Sequence, residues 1–544
     1  MSALDRLRDV HHAVAAARGW RRGGIAFLAG ALSNLALAPV FFSPVLFLTL
    51  PVLVWLIDEA ARQSPQREMR ARSAAVTGWW FGFGYFLFGL FWIGEAFLVE
   101  AETFGWLLPF AVTLMPAGLA LFWGAATAAA AQFWRPGIER VLVLALALAA
   151  SEWLRGHILT GFPWNVLGYA LTWPLVLMQG AGLTGIYGLT LLAVPVFATP
   201  LVAAVSWQRA PRGLGRRLAP VLLMTVLPLL ALAGYGTYRL AIAPTGNVDS
   251  VTLRLVQPSI PQRDKWRPEK QSEVFTQHLD LSRVNGKGER DDLRGITHVV
   301  WPEAAMPFLP LEHPEALSSI AALLPDGVSL VTGALRRELA SEPATNGWRA
   351  YNSLMVLDGD GRLAGVYDKT HLVPFGEYLP WQSLLESIGL KQLTRLRGGF
   401  SVGPEPRPLL DVAGLPPVGG LICYEAIFPG VGAASASRPR VLINVTNDGW
   451  FGNTTGPRQH FHQARVRAVE EGLPLIRAAN NGISAVIDSS GRVIGSIGMN
   501  DRASLDSPLP EAGTAPIYVR IGDGIFAVLC TLFAGTLCLL GLRH

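Results

Sequence analysis

The chain has 544 residues, 51% of them hydrophobic and only 16% charged, well under the roughly 25% charged usage of soluble domains; its mean hydropathy is +0.35. The formal charge of +5 is mostly Arg, without a Lys-rich run or a basic stripe interleaved with aromatics, which argues against nucleic acid as a partner. Three cysteines, Cys423, Cys530 and Cys538, form no CxxC pair and no Cys/His cluster, so no zinc site is expected, and Cys423 is alone in its region and has no disulfide partner there.

The apolar excess is uneven. Residues 1–23 are basic, residues 24–244 are dominated by Leu, Ala, Val, Phe and Trp, residues 245–520 read as a water-soluble domain, and residues 525–542 are apolar again. Arg6, Arg8, Arg18, Arg21 and Arg22 precede an apolar stretch ending in Ala36-Leu37-Ala38. Pro39 follows at once and more apolar segments come after, so this stretch reads as a first membrane helix that is expected to be retained rather than as a cleaved signal peptide.

A spanning helix needs about 20 mostly apolar residues. Residues 24–57, interrupted by Pro39, Pro44 and Pro51, read as two short helices joined near Pro39–Pro44; later spans fall near 74–98, 105–133, 139–155, 183–205, 218–240 and 525–542. The segments Arg62–Arg72 and Trp207–Arg217 carry four Arg each, and Trp134–Arg140 carries two. Short Arg-rich loops stay in the cytoplasm. With eight spans, these loops and the basic N-terminus share the cytoplasmic side. The acidic turn Glu100-Ala101-Glu102, the loop 156–182 and the domain 245–520 then share the other. The loop 156–182 contains Gly161-Phe162-Pro163-Trp164-Asn165 and Trp173-Pro174. It reads either as interfacial aromatic anchoring or as the lining of a lipid access path.

In the soluble domain, β-type runs occur at Val251–Val256, Thr297–Trp301, Ser329–Thr332, Ser353–Leu357, Gly419–Ile422, Val441–Val445 and Ser484–Ile487. Helical stretches at 268–284, 313–324 and 456–472 alternate with them. Strands alternating with helices imply an α/β layered domain.

Three runs end on a polar side chain, the place where α/β domains tend to put chemistry. Val299-Val300-Trp301-Pro302 leads to Glu303, Tyr367-Asp368 leads to Lys369, and Gly419-Gly420-Leu421-Ile422 leads to Cys423. Each alone has a plainer explanation: a surface carboxylate, an exposed loop, an inert buried thiol. His371 reads as a structural hydrogen-bonding residue. Together the three residues make a nucleophile, a base and an oxyanion donor. Glu303 can take the thiol proton. Lys369 and the Tyr424 backbone N–H can hold an acyl oxyanion, and a nearby Lys is expected to lower the Cys423 pKa.

Glu303, Lys369 and Cys423, in this order and with these flanks, resemble the Glu-Lys-Cys triad of the nitrilase superfamily. Val256-Gln257-Pro258, Asn444-Val445-Thr446-Asn447-Asp448-Gly449-Trp450-Phe451-Gly452 and Gln459-His460 support the likeness. Such a domain between seven membrane helices and one more resembles the bacterial apolipoprotein N-acyltransferases over essentially the whole chain; Gly161-Phe162-Pro163-Trp164 and Pro374-Phe375-Gly376-Glu377-Tyr378 match that family too.

The resemblance implies a polytopic α-helical membrane bundle plus a periplasmic α/β nitrilase-like domain, an αββα sandwich, in a bacterial inner membrane. It implies transfer of a fatty acyl chain from a phospholipid donor to the amino group of a diacylated apolipoprotein, by a ping-pong route through a thioester on Cys423, with no cofactor. It further implies supporting roles for Glu377, Tyr424 and Glu425, and places Trp266 on a mobile arm, the plainer reading being a buried Trp at a strand end. Two alternatives stay open on the residues alone: a membrane-bound amidase, and a lipid-binding or transport protein without activity.

Overall fold

The computed structural model describes residues 3–63, 66–206, 214–339, 347–387, 399–430 and 437–541. They divide into two compact units. One comprises Met1–Gly94, Trp106–Ile242 and Arg520–His544; the other comprises Glu95–Gly105 and Ala243–Val519.

The first unit is helical. After the amphipathic helix Ala3–Ala16 come Gly19–Ser33 and Leu46–Gln63, the two short helices expected around Pro39–Pro44, joined by 3-10 turns at Asn34–Ala36 and Ser43–Val45. Helices Arg67–Leu90, Leu108–Gln132, Glu139–His157, Ala181–Ser206, Leu227–Ile242 and Gly524–Gly541 follow. By length and composition, five helical segments among the described residues are long and apolar enough to cross a membrane, and Gly524–Leu539 is a shorter apolar one. Most of the Arg-rich segment Trp207–Arg217, residues 207–213, lies outside the described residues.

Small residues bring these helices together, as expected where lipid supplies no hydrophobic drive between helices. A Cβ at Gly30 would overlap the carbonyl of Phe81, and one at Gly84 would overlap that of Phe27. Helices Gly19–Ser33 and Arg67–Leu90 therefore touch backbone to backbone. Gly78 and Gly82 do the same against Trp123 and Ala120 of Leu108–Gln132, where the Thr127 hydroxyl donates to the Ala74 carbonyl at 2.9 Å.

The loop 156–182 is buried along most of its length. Trp164, Val166, Leu167, Tyr169 and Leu171 are buried, and exposure is confined to the stretch His157–Thr160 and to Trp173-Pro174. A charge pair explains it. Arg155 binds Glu152 at 2.6 Å and donates to the carbonyls of Phe162 and Trp164, while Trp123 donates to Glu152 at 2.6 Å. The pair folds the loop back into the bundle by satisfying its carbonyls, which would otherwise be buried unpaired. The apolar helical segment Arg67–Leu98 covers the span expected over 74–98; within it the α-helix Arg67–Leu90 gives way to a 3-10 turn, Phe91–Gly94, where Trp92 donates to the Gly89 carbonyl at 3.1 Å, and then to the short helix Glu95–Leu98. Residues 95–105 belong to the second unit.

The second unit is a four-layer sandwich. One sheet has the order β11-β1-β2-β3-β4-β5 and the other β10-β9-β8-β7-β6, with β1 Asn247–Gln257, β2 His298–Trp301, β3 Ser329–Leu339, β4 Trp348–Leu357, β5 Leu363–Asp368, β6 Val418–Ile422, β7 Val441–Thr446, β8 Leu475–Ala479, β9 Ser484–Ile487, β10 Val493–Ile497 and β11 Ala503–Pro510. β1, β2 and β3 pair in parallel, as do β6, β7 and β8; the outer strands are antiparallel.

Period-two alternation sorts the side chains. Val251, Leu253 and Leu255 of β1 meet Val441, Ile443 and Val445 of β7 in the core between the sheets. The opposite faces take helices: Ile320 and Leu323 of Pro314–Leu323 pack with Val299, Trp301 and Leu330, and Ala464 and Ala468 of Gly456–Glu471 pack with Leu421, Leu442 and Leu475. Residues 95–105 add to this unit beside the turn Asp448–Phe451: a Cβ at Gly452 would stand 2.6 Å from Glu95 Oε2.

Candidate active site

Parallel strands end on one side of each sheet, and the candidate residues sit there. Glu303 lies just past β2, Lys369 follows β5 and Cys423 follows β6. All three are buried, at 7%, 1% and 8% exposure.

Cys423 sits on a strained corner. Its φ is +50°, a left-handed conformation that costs a non-glycine residue about 1–3 kcal/mol. The glycines before it make room: a Cβ at Gly420 would stand 2.8 Å from the Tyr367 ring. Glu425, fully buried, fastens the corner. Its carboxylate accepts the Ile422 N–H at 2.7 Å, the Thr370 and His371 N–H groups at 2.9 and 3.1 Å, the Thr370 hydroxyl at 3.0 Å and the Tyr367 hydroxyl at 2.9 Å. One carboxylate thus ties the turn after Lys369 to the turn bearing Cys423.

A second buried network grips the corner from behind. His460 Nε2 lies 3.1 Å from the Cys423 carbonyl and its Nδ1 lies 2.8 Å from Asp448, which Arg477 binds at 2.8 Å. Arg477 and, behind it, His460 hold the Asp448 carboxyl down to about 2 in spite of burial.

Glu303 is held by its backbone and by its carboxylate. Ala305 N–H donates to the Gly333 carbonyl at 2.9 Å and Gly333 N–H to that of Pro302 at 3.2 Å. A Cβ at Gly333 would stand 2.5 Å from the Glu303 Cα, so only glycine permits this approach. Asn352 Nδ2 donates to Glu303 Oε1 at 2.8 Å and to Glu377 Oε1 at 3.0 Å. Lys369 Nζ donates to Glu377 Oε1 at 2.9 Å, and the other Glu377 oxygen accepts the Val373 N–H at 2.8 Å.

Burial dominates the titration of these groups. It pushes the Glu303 carboxyl up, with Glu377 adding to the effect and Lys369 opposing it. It pushes the Cys423 thiol well up, Glu303 adding and Lys369 opposing. The sequence led us to expect Lys369 to win and lower the Cys423 pKa; it does act in that direction, but desolvation outweighs it. Burial also acts to lower Lys369, but the Glu377 and Glu303 carboxylates outweigh it and raise it above the ordinary lysine range.

Of the other expected residues, Tyr424 is buried and its ring packs against Phe428 at 5.0 Å. The His371 ring lies 3.9 Å from that of Phe428. Trp266 is 40% exposed and follows the short helix Gln262–Lys265, so it is not the buried strand-end residue of the plainer reading. The sequence reading missed Asn352 and Lys265. Lys265, beside Trp266, is 1% exposed, and its Nζ donates to the Glu303 carbonyl at 2.8 Å.

Residues 29–199 match the model of the apolipoprotein N-acyltransferase N-terminal domain, and residues 252–505 match that of carbon-nitrogen hydrolases. An apolipoprotein N-acyltransferase from Rhodopseudomonas palustris is 48% identical over 515 residues, 94% of this chain and 94% of that one. One from Bradyrhizobium diazoefficiens is 48% identical over 534 residues, 98% of this chain and 97% of that one. The overlap with a solved amidase from Nesterenkonia sp. is looser: 19% identity, 49% of this chain, 93% of that chain and a TM-score of 0.32. With both domain models matched in tandem and close identity along nearly its whole length, the chain belongs to the apolipoprotein N-acyltransferase family.

Proposed function

We propose that this enzyme moves a fatty acyl chain from a membrane phospholipid to the α-amino group of a diacylglyceryl-cysteine at a lipoprotein N-terminus, in two half-reactions through a thioester on Cys423. The observation that carries the reading is the convergence of buried Glu303, Lys369 and Cys423 at strand ends.

In the first half-reaction the Cys423 sulfur attacks the ester carbonyl carbon as its proton passes to Glu303. Because burial holds the thiol up, the proton leaves during attack rather than before it. The oxyanion is held by Lys369 Nζ and the Tyr424 N–H. Collapse breaks the carbon–oxygen bond, and Glu303 returns the proton to the departing lysophospholipid. In the second half-reaction the amine attacks the thioester, Glu303 takes the amine proton and the thiol is restored. Glu377 keeps Lys369 charged and Glu425 holds the nucleophile corner.

Both substrates keep their chains in lipid, where each buried CH₂ contributes about 0.8 kcal/mol, so the site must serve the bilayer. Charge bias supports eight spans with the N-terminus in the cytoplasm of a bacterial inner membrane and residues 245–520 in the periplasm. A periplasm-active reporter fused after Leu240 should be active; activity only of a cytoplasmic reporter would overturn this orientation.

The chemistry is tested by incubating the full-length protein with acyl-labelled phospholipid and no acceptor. Label should appear on the Cys423 peptide with release of lysophospholipid, and a diacylated lipopeptide should then chase it onto its amine. Hydrolysis of small amides without lipid labelling would sink the reading in favour of an amidase.

A further inference from the structure

The mechanism above gives no task to Lys265. This residue ends the helix Gln262–Lys265 and is almost fully buried, with its ammonium against the main chain of Glu303. Its placement is fixed from behind: Gln262 of the same helix accepts from Asn447 at 2.7 Å, and Asn447 accepts from Asn480 at 3.1 Å. A buried ammonium at the one residue that must accept a proton calls for an electrostatic account.

The charges of the pocket supply it. Glu303 and Glu377 bring two carboxylates, and Lys369 brings one ammonium, which is bound to Glu377. Left at that, an ionised Glu303 would sit in a buried site of net negative charge, and such a site favours the protonated carboxyl. A base that already holds its proton cannot take another from the thiol. A second ammonium brings the sum to zero. The sum stays at zero as the proton passes from Cys423 to Glu303, since the thiolate formed replaces the carboxylate lost.

We propose that Lys265 is a positioning residue of the acyl transfer: it pins the Glu303 main chain and supplies the second positive charge that keeps Glu303 ionised and ready to accept the Cys423 proton. The proposal rests on the assignment of Cys423 as nucleophile and Glu303 as base.

The groups acting on Lys265 are Glu303 from the turn after β2 and Cys423 from the turn after β6. On the remaining side lies His278 of Gln271–Ser282, which burial holds neutral, down to about 4. Burial lowers Lys265 itself to about 8, with Glu303 and Cys423 opposing. Its charge is therefore complete below that pH and lost above it. Lys369 and the Cys423 thiol titrate at higher pH, so an alkaline limb near 8 reports Lys265.

The test uses full-length protein and the first half-reaction alone, so that no acceptor amine titrates. The burst of lysophospholipid is followed from pH 6 to 10 in wild type, Lys265→Met and Lys265→Arg. Wild type should lose rate with a midpoint near 8. Lys265→Met should be slower at pH 7 by roughly ten- to hundredfold, with donor KM little changed and the alkaline limb gone. Lys265→Arg should recover part of the rate and carry the limb above pH 9. A wild-type rate in Lys265→Met, or a limb unmoved in Lys265→Arg, would overturn the proposal. If Lys265→Met does not fold, the limb of Lys265→Arg decides. Cys423→Ala separates the two levels: residual acylation there sinks the nucleophile assignment, whereas a dead Cys423→Ala beside a normal Lys265→Met sinks only the role of Lys265.

Discussion

The Lys369 ammonium is hydrogen-bonded to Glu377 at 2.9 Å, and Asn352 Nδ2 spans Glu377 and Glu303. The proposed oxyanion donor is thus carried by one carboxylate, while the other is left for the proton transfer proposed above. In Glu377→Gln, burial no longer meets that opposing charge, and Lys369 should titrate at lower pH. We expect kcat to fall at least about a hundredfold at pH 8, and the loss to be smaller at pH 6. A pH–rate profile of the variant checks both.

Asn352→Asp keeps the shape of the side chain and replaces the shared donor with a third negative charge. Glu303 should hold its proton more tightly, and the acidic limb of the first half-reaction should move to higher pH. The rate at neutral pH should fall by roughly a hundredfold or more. An unchanged limb would mean that Asn352 does not tune the base.

Glu425→Gln should damage stability as well as rate. The side chain is fully buried and accepts five hydrogen bonds from Ile422, Thr370, His371 and Tyr367. An amide nitrogen in place of one oxygen would face donors. Breaking a buried charged network of this kind costs about 3–5 kcal/mol, visible as a lower melting temperature of the detergent-solubilised chain.

Acid should release the grip on the nucleophile corner through Asp448. Its carboxyl is held at about 2 against an ordinary 3.8. A lowered folded-state value means that the contribution to stability is complete above about pH 4 and drains away as pH falls towards 2. Asp448→Asn should remove that part of the acid dependence of the melting temperature. It should also lower stability at pH 7, where Arg477 and His460 lose their partner.

Much of the candidate site was legible because Glu303 and Cys423 each follow an apolar strand directly, as Glu303 follows Val299-Val300-Trp301-Pro302, whereas Lys369 stood out through its flanks Tyr367-Asp368 and Pro374-Phe375-Gly376-Glu377-Tyr378 rather than through its strand. Asn352 and Lys265 were not, because nothing local marks them. Asn352 is a polar residue in the middle of β4 and acquires meaning only from Glu303, 49 positions away. The strands missed have physical reasons as well. β8 carries Arg477 at its centre, a break in apolar patterning that Asp448 and Asn444 make tolerable. β11 carries two prolines and an aspartate, and its Asp506 pairs with the buried Arg254 at 2.7 Å. β5 and β10 are half exposed and too weakly patterned to stand out. The helices of the first unit were read to within about two turns from composition, but the inward fold of 156–182 depended on Glu152 and Arg155 meeting, which the spacing alone did not announce.

Residues 95–105 give the second unit a history as well as a shape. They are synthesised long before the strands they join, with more than a hundred residues of helical chain intervening. The acyl-transfer unit therefore cannot finish folding as a continuous stretch. Its earliest piece has to wait for Asp448–Gly452, and closing so long a loop carries an entropic cost that a contiguous domain avoids. A fragment cut at 243–519 would be born without that piece and with the turn beside the nucleophile network left bare.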